Sequence, residues 1–466
     1  MNKDIVVGKF GGSSVANAAQ IHKVEKIFNS NDKMKYMVVS APKGITEKLH
    51  NLYYKNKGIE QSSESEYTYL PDSKTAIFGS IIETYSQICS DLNINNALAI
   101  EYVINLKKIL DNKNHTIHDV LKTGEEYIAK IIAWHSGAIY LDAEDAIHID
   151  SNQNPDNDIT RDWIRQTLTE HNQKIIVGGF YGNSNTDKNN PIIQTLGRGA
   201  GDLTGAIFAA MLDADYYNYT DQNGILCFDP RIIENLDTRQ NIPSIINLTY
   251  EKAREFTWFG AKILNEETTA PLEKRGNRTF ICNTNNPSHS GTTINKEYTL
   301  RLPIIGITGR EELCKIDLEK DSLINSKGSE SQFLTEIEKF LLGKNIKQYN
   351  ILSWGNSTSI LIDQKRLEPH EQEVLAYIKQ NYTNPIQIEK DKAIIAIIGS
   401  KGIKNIKTAY DTLDVLNRNQ VEAEISKGGR LPEDIILVIN NSDYKKVSIE
   451  IYNKLLRPPV QQKINM

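Results

Sequence analysis

The sequence predicts an α/β protein with a largely parallel sheet, followed by two small, similar α+β units. Three observations predict it. Short apolar runs alternate with helix-patterned stretches over roughly the first 290 residues, as a strand–helix repeat requires. Glycines cluster just after several of those runs, at what would be the carboxyl ends of parallel strands, where such sheets bind ligands. The character changes near 290–303, and a βαββα-like order of about 70 to 80 residues then occurs twice.

The first element sets the pattern. Ile5-Val6-Val7 reads as a strand and runs through Gly8-Lys9-Phe10 into Gly11-Gly12-Ser13-Ser14; helix-compatible residues follow to Phe28. Glycines there let a backbone approach a ligand, and the N–H groups of a helix start can hold an anion. The stretch is neither a Walker loop nor a GxGxxG fingerprint. Tyr36–Ser40 is a second strand, with a turn at Ala41–Thr46 before another helix. Residues 60–73 are polar, and 76–134 are helical with Lys122-Thr123-Gly124-Glu125-Glu126 inside. Ala138–Leu141 and Ile147–Asp150 are short strand candidates; Lys174–Gly182 is a strand ending in glycines. Gly197-Arg198-Gly199-Ala200-Gly201-Asp202 opens a helix to Leu212, Tyr216–Thr220 is a strand, and Thr279–Asn283 is another.

Beyond 303 the first unit has strands near Ile304–Thr308, Leu313–Leu318, Ile346–Leu352 and Ser357–Ile362, with a helix near Gln332–Leu342. The second has strands at Ala393–Ile398, Val421–Ser426 and Ile435–Ile439 and a helix near Ile406–Arg418. Each closes on a helical segment, 369–380 and 442–455. The expected domains are 1–295, 303–388 and 389–462.

Bulk composition narrows the function. A net charge of −5 argues against a broad nucleic-acid surface, and no apolar run approaches the roughly 18 residues of a membrane helix. The first residues do not read as a signal peptide. Cys89, Cys227, Cys282 and Cys314 are far apart, which fits buried thiols in a reducing compartment. A cytoplasmic protein without membrane or nucleic-acid partners is expected. His135 and His289 read as isolated, no cluster has metal-ligand spacing, and no protein-bound metal is expected.

Four ordered segments together carry a family resemblance. Lys9–Val15 is similar to KFGGTSV, and Thr195–Gly199 with Asp202 to TLGRGGSD. Thr220-Asp221, Gly224-Ile225 and Asp229-Pro230-Arg231 are similar to TDVxGIYTTDPR, and Phe259–Leu264 to FGAKVLHP. The chain therefore resembles the aspartate kinases of the amino-acid kinase superfamily, whose fold sets a largely parallel sheet between helical layers and adds C-terminal ACT modules. The resemblance implies phosphoryl transfer from ATP, with its Mg2+, to the β-carboxylate of L-aspartate, giving 4-phospho-L-aspartate on the way to lysine, threonine and methionine. Such chemistry needs positioning and charge neutralisation more than a covalent nucleophile.

By resemblance, Lys9 and Asp202 are catalytic, and Gly11, Gly12, Ser13 and Lys262 bind phosphate. Thr220, Asp221, Leu226 and Arg231 hold the nucleotide; Thr46, Glu125, Phe180 and Arg198 hold aspartate. Arg198 has the planar fork that captures a carboxylate, and Asp202 would keep Lys9 in place. Bland readings compete: Glu125-Glu126 as a solvated helix face, Asp229-Pro230-Arg231 as a plain turn, Lys262 as a surface lysine. The family serine before Asp202 is Gly201 here, the usual aromatic after Gly-Ile is Leu226, and His-Pro after Leu264 is Asn265-Glu266. Two alternatives stand beside aspartate phosphorylation: a paralogue acting on another small amino acid or carboxylate, and a catalytically weak ligand-sensing regulator. A homodimer or larger assembly through the ACT-like units is expected. Lysine is expected to inhibit poorly, because Lys347 follows Asn345-Ile346 where lysine-sensitive relatives place a carboxylate, and Lys327 stands in the preceding loop.

Overall fold

The computed structural model describes residues 5–59, 67–95, 97–150, 154–155, 157–170, 173–186, 190–197, 200–233, 241–261, 264, 266–297, 302–319, 330–353, 357–381, 386–400, 406–426 and 434–456. The chain divides into two compact units. The first holds residues 1–225, 246–250 and 264–298; the second holds 226–245, 251–263 and 299–466. Segments 226–245 and 251–263, expected within a 1–295 domain, thus group with the C-terminal residues.

The first unit is organised on β1 (Val6–Phe10), buried at every position. It pairs in parallel with β2 (Met34–Val39) on one side and β7 (Asp215–Thr220) on the other. With β3 (Ile139–Leu141), β4 (Ile175–Gly178), β8 (Asn247–Thr249), β9 (Thr279–Asn283) and β10 (Thr292–Asn295) the sheet order is β3-β4-β2-β1-β7-β9-β10-β8. Only β9–β10 is antiparallel within this sheet. A two-stranded ribbon, β5 (Tyr181–Asn183) and β6 (Ile193–Thr195), stands apart. Strands buried on both faces need helical cover, and their near-continuous apolar runs reflect it. Because the chain leaves β1 toward β2 first and returns on its other flank at β7, the carboxyl end of β1 is a topological switch point, the usual place for a ligand.

The helices of this unit are α1 (Ala18–Ser30), α2 (Ile45–Lys57), α3 (Lys74–Asp91), α4 (Ala97–Asp111), α5 (Ile117–Ser136), α6 (Asn157–Glu170) and α7 (Gly201–Met211). The helical pattern expected over 76–134 is carried by α3, α4 and α5. Thr116 and Asp119 start α5 with a reciprocal capping box, and Gly137, at φ 70°, ends it. Helix α7 is buried almost all round, which its Ala-, Ile- and Phe-rich sequence requires.

Two strand expectations need correction. Ile147–Asp150 forms only isolated bridges, His148 to Asn183 and Ile149 to Pro155, so it is not a strand. The strand expected over Lys174–Gly182 breaks between β4 and β5, where Phe180 sits at φ 83°. The four cysteines are free and buried. Among the described residues no helix is long and apolar enough to cross a membrane.

Helix α8 (Tyr250–Trp258) spans a unit boundary, and α9 (Glu266–Arg275) belongs to the first unit. In the second unit one six-stranded antiparallel sheet has the order β12-β13-β11-β14-β16-β15. Its strands are β11 (Ile304–Glu319), β12 (Gln348–Ser353), β13 (Ser357–Asp363), β14 (Gln387–Gly399), β15 (Glu424–Ser426) and β16 (Ile435–Asn440). The two strands expected at 304–308 and 313–318 are one strand, with an irregular register between Arg310 and Leu313 and Glu312 at φ 60°. β11 and β14 pair along their length in the middle of the sheet, and the 388/389 boundary falls inside β14. The helices are α10 (Glu330–Gly343), α11 (Gln364–Leu367), α12 (Glu371–Asn381), α13 (Ile406–Asn419) and α14 (Tyr444–Leu455). Phe333, Ile337, Leu341, Ile360, Ile362, Val374 and Ile378 form one buried cluster against half of the sheet.

Candidate active site

Lys9 lies at the carboxyl end of β1 and is 8% exposed. Its Nζ pairs with Asp202 Oδ1, in the first turn of α7. A lysine this buried needs a fixed counter-charge, and the helix start that carries Asp202 is held by its neighbours. Thr204 Oγ1 accepts from the Phe180 N–H (2.9 Å), and the Tyr216 hydroxyl donates to the Asp202 carbonyl (3.1 Å). Ring stacking of Phe10 on Tyr219, centroids 4.5 Å apart, locks β1 to β7.

The glycine turn follows. Ser14 N–H donates to Gly11 O (2.9 Å) and Lys43 N–H donates to Gly12 O (3.1 Å), so Gly11–Ser14 lies against the Pro42-Lys43 turn. A Cβ at Gly12 would stand 2.6 Å from Ala41 O, which only a glycine tolerates. Asn17 caps α1, accepting from the Gln20 N–H at 3.0 Å.

Lys9, Gly12, Thr46, Glu125, Phe180 and Asp202 line one cavity of about 310 Å³. These six sequence-predicted residues come from β1 and its turn, α2, α5, the β4–β5 break and α7, so the fold gathers what the chain scatters. Gly11 and Ser13 stand beside Gly12 in the same turn but do not line the cavity. Glu125 is not a solvated helix residue: it is 4% exposed, and its Oε2 has no hydrogen-bond partner. Burial pushes its carboxyl up to about 8, against a smaller opposing pull from the Ala41 N–H. Such a group is set to receive a cation.

Ser40, Lys43 and Tyr67 also line the cavity, and no motif in the sequence marks them. Ser40 explains the departure at Gly201: a Cβ there would meet Ser40 Oγ at 2.7 Å. The hydroxyl missing from α7 is offered instead from the end of β2, and glycine is what lets the two elements close. His118 on α5 is a further support, its Nδ1 2.8 Å from Thr195 Oγ1 at the end of β6, the strand that leads to Gly197. Burial holds this imidazole below its ordinary range.

Thr220 ends β7, one strand from Lys9, and its Oγ1 accepts from the Gln222 N–H (3.0 Å); Asp221 beside it is exposed. Leu226 and Arg231 belong to the second unit. There Leu226 bridges to Ser244, and Asp229 holds the Arg231 guanidinium through Nε (2.9 Å) and Nη2 (2.5 Å). Arg198 and Lys262 lie outside the described residues.

A buried Lys–Asp pair, a glycine turn leading toward a helix and a buried carboxyl with one oxygen left without a partner, all at one cavity at a switch point, suit an anionic phosphoryl donor beside a substrate bearing an amine. Residues 4–283 match the amino acid kinase family, and the chain belongs to that family. Within it the similarity is to aspartokinases. The chain is 26% identical over 463 residues to aspartokinase 3 of Bacillus subtilis, covering 96% of this chain and 98% of that protein. It is 25% identical over 475 residues to the bifunctional aspartokinase/homoserine dehydrogenase of Buchnera aphidicola, covering 96% of this chain and 56% of that longer protein. The crystal structure of Clostridium acetobutylicum aspartate kinase matches with a TM-score of 0.76 at 28% identity, covering 97% of this chain and all of that one.

Proposed function

We propose that this protein is an aspartate kinase that moves the γ-phosphoryl group of ATP to the β-carboxylate of L-aspartate. A carboxylate oxygen forms the new P–O bond, the bond to the β-phosphate oxygen breaks, and ADP leaves with 4-phospho-L-aspartate. The observation that carries the reading is the convergence of the Lys9–Asp202 pair and the buried Glu125, whose Oε2 has no partner, on one cavity, in a chain similar to aspartokinases over nearly its whole length.

Lys9 neutralises charge that spreads over the phosphoryl oxygens during transfer, and Asp202 holds its ammonium in place. The Gly11–Ser13 amides, in the turn before α1, cradle the phosphates; glycine at position 12 lets that turn close on Ala41 and Lys43. Mg2+ would arrive with ATP, held largely by phosphate and water, and would lower the charge of the phosphates. Glu125 receives the substrate's ammonium, with Thr46, Ser40 and Phe180 shaping the walls. Arg198 takes the α-carboxylate, Lys262 reaches the phosphates, and Thr220, Asp221, Leu226 and Arg231 hold the nucleoside, as the motifs imply. The assembly is a homodimer or larger one formed by the second unit. The test is ADP release with L-aspartate in wild type and Glu125→Gln: the variant should need a much higher aspartate concentration while its demand for ATP is little changed.

A further inference from the structure

Away from the cavity, the fold brings together three residues separated by up to 113 positions: His22, Glu25 and His135. The sequence reading takes His135 as isolated, because nothing nearby in the chain resembles a ligand. In the structure the last turn of α5 lies against α1. His135 Nδ1 is 2.6 Å from Glu25 Oε1, and His22 Nδ1 is 3.6 Å from the other oxygen, Oε2. The two imidazole rings are 5.4 Å apart, centroid to centroid. One donor atom from each residue falls within 4.8 Å of the others.

A histidine–glutamate hydrogen bond anchoring the end of α5 accounts for two of these groups. It does not account for the third. His22 and Glu25 are three apart on α1, so they share a face, and His22 presents its Nδ1 to the carboxylate oxygen that His135 leaves open. Tetrahedral ligands at about 2.0–2.1 Å from a zinc ion stand roughly 3.3 Å from one another. The observed 2.6 and 3.6 Å straddle that spacing. His22 has 56% of its side chain exposed, so it can turn in without disturbing the core, whereas Glu25 at 9% is fixed. Both helices are regular, 13 and 20 residues long, which gives a rigid frame.

We propose that His22, Glu25 and His135 form a binding site for a divalent transition cation, Zn2+ by its donor set, with a fourth position open to water. Two imidazoles and one carboxylate select Zn2+ and Co2+ over Mg2+, which prefers oxygen ligands throughout. On metal binding, the His135 ring carries its proton on Nε2 and Nδ1 joins the ion; the carboxylate turns from hydrogen-bond acceptor to ligand. The ion ties α1, which follows the phosphate turn, to α5, which carries Glu125, about 15 Å along the helix from His135 at 1.5 Å per residue. Its effect is to fasten two helices, and it takes no part in phosphoryl transfer.

The experiment uses the full chain freed of any polyhistidine tag, stripped with chelator and titrated with Zn2+ alone and with Co2+ alone. The expected result is one tight equivalent of Zn2+, a tetrahedral Co2+ absorption spectrum, and a melting temperature that rises with Zn2+ concentration. His22→Ala and His135→Ala should each weaken binding by more than about tenfold, since losing even an outer partner of a metal ligand commonly costs that much. The exposed His22 makes the first variant safe for folding, and in the absence of metal it should turn over like wild type. Excess Mg2+ should not displace the bound ion. Zn2+ bound equally well by wild type and by the His22→Ala, His135→Ala double variant would overturn the proposal, as would an absence of stoichiometric Zn2+ binding or an octahedral Co2+ spectrum.

Discussion

Glu125→Gln separates the cost of the substrate pocket from its use. The carboxyl is pushed up to about 8 from an ordinary 4.5, with burial the main cause. The folded chain therefore keeps a proton that the unfolded chain has released, over the window from 4.5 to about 8. Protons bound to the folded state alone make stability fall as pH rises through that window, after which the loss is complete. At about 1.4 kcal/mol per pH unit the full loss is about 5 kcal/mol, of which about 2 is already present at pH 6. Glutamine has no proton to lose. Its stability relative to wild type should therefore grow by about 3 kcal/mol between pH 6 and pH 9, read by urea unfolding at several pH values. The same change should raise KM for aspartate about 10- to 150-fold, the worth of a charged hydrogen bond to the ammonium. In wild type kcat/KM for aspartate should climb with pH, reach half its plateau near 8 and level off above that, because the carboxylate form receives the amine. A stability gap between the two proteins that stays constant or narrows with rising pH would refute the reasoning.

Lys9→Ala should lower kcat by on the order of 100-fold or more, as for removal of a preorganised charge-stabilising donor; a loss confined to KM for ATP would mean that Lys9 binds without stabilising the transfer. A mass at least twice 52.7 kDa is expected by light scattering at micromolar concentration. Ile406, Tyr410 and Leu413, exposed at 80%, 68% and 50% and spaced along one face of α13, give a partner an apolar surface, so Ile406→Glu with Tyr410→Glu tests whether that face is used. By resemblance to lysine-sensitive relatives, which place a carboxylate where Lys347 stands, lysine alone should fail to half-inhibit below the millimolar range.

How far the sequence reached depended on whether the signal was local. Lys9 and its glycine turn were legible because strand, turn and helix start are contiguous, and Asp202 because it opens a helix after a run of small residues. Ser40 ends a legible strand and Lys43 sits in a legible turn, but neither carries a sign of chemistry; the packing of Ser40 on Gly201 and of Lys43 on Gly12 gives them a place in the cavity. The burial of Glu125 was hidden, since a Glu-Glu pair on a helix looks solvated until the neighbouring turn is laid over it. Strand positions in the second unit followed from alternation, but alternation carries no information about pairing partners. The single sheet centred on β11 and β14 could not be read from it. The pairing of His135 with Glu25, 110 residues away, had no sequence trace at all.

Phosphorylation of aspartate by this chain is open to direct assay. Purified protein, ATP with Mg2+ and a panel of small amino acids, assayed by coupled ADP release and by trapping the acyl phosphate with hydroxylamine, tests it most directly. The expected result is ADP release that depends on L-aspartate, a hydroxamate formed at the β-carboxylate, and loss of both signals in Lys9→Ala. ADP release with a different amino acid and none with aspartate, or no acceptor-dependent release at all, would contradict it.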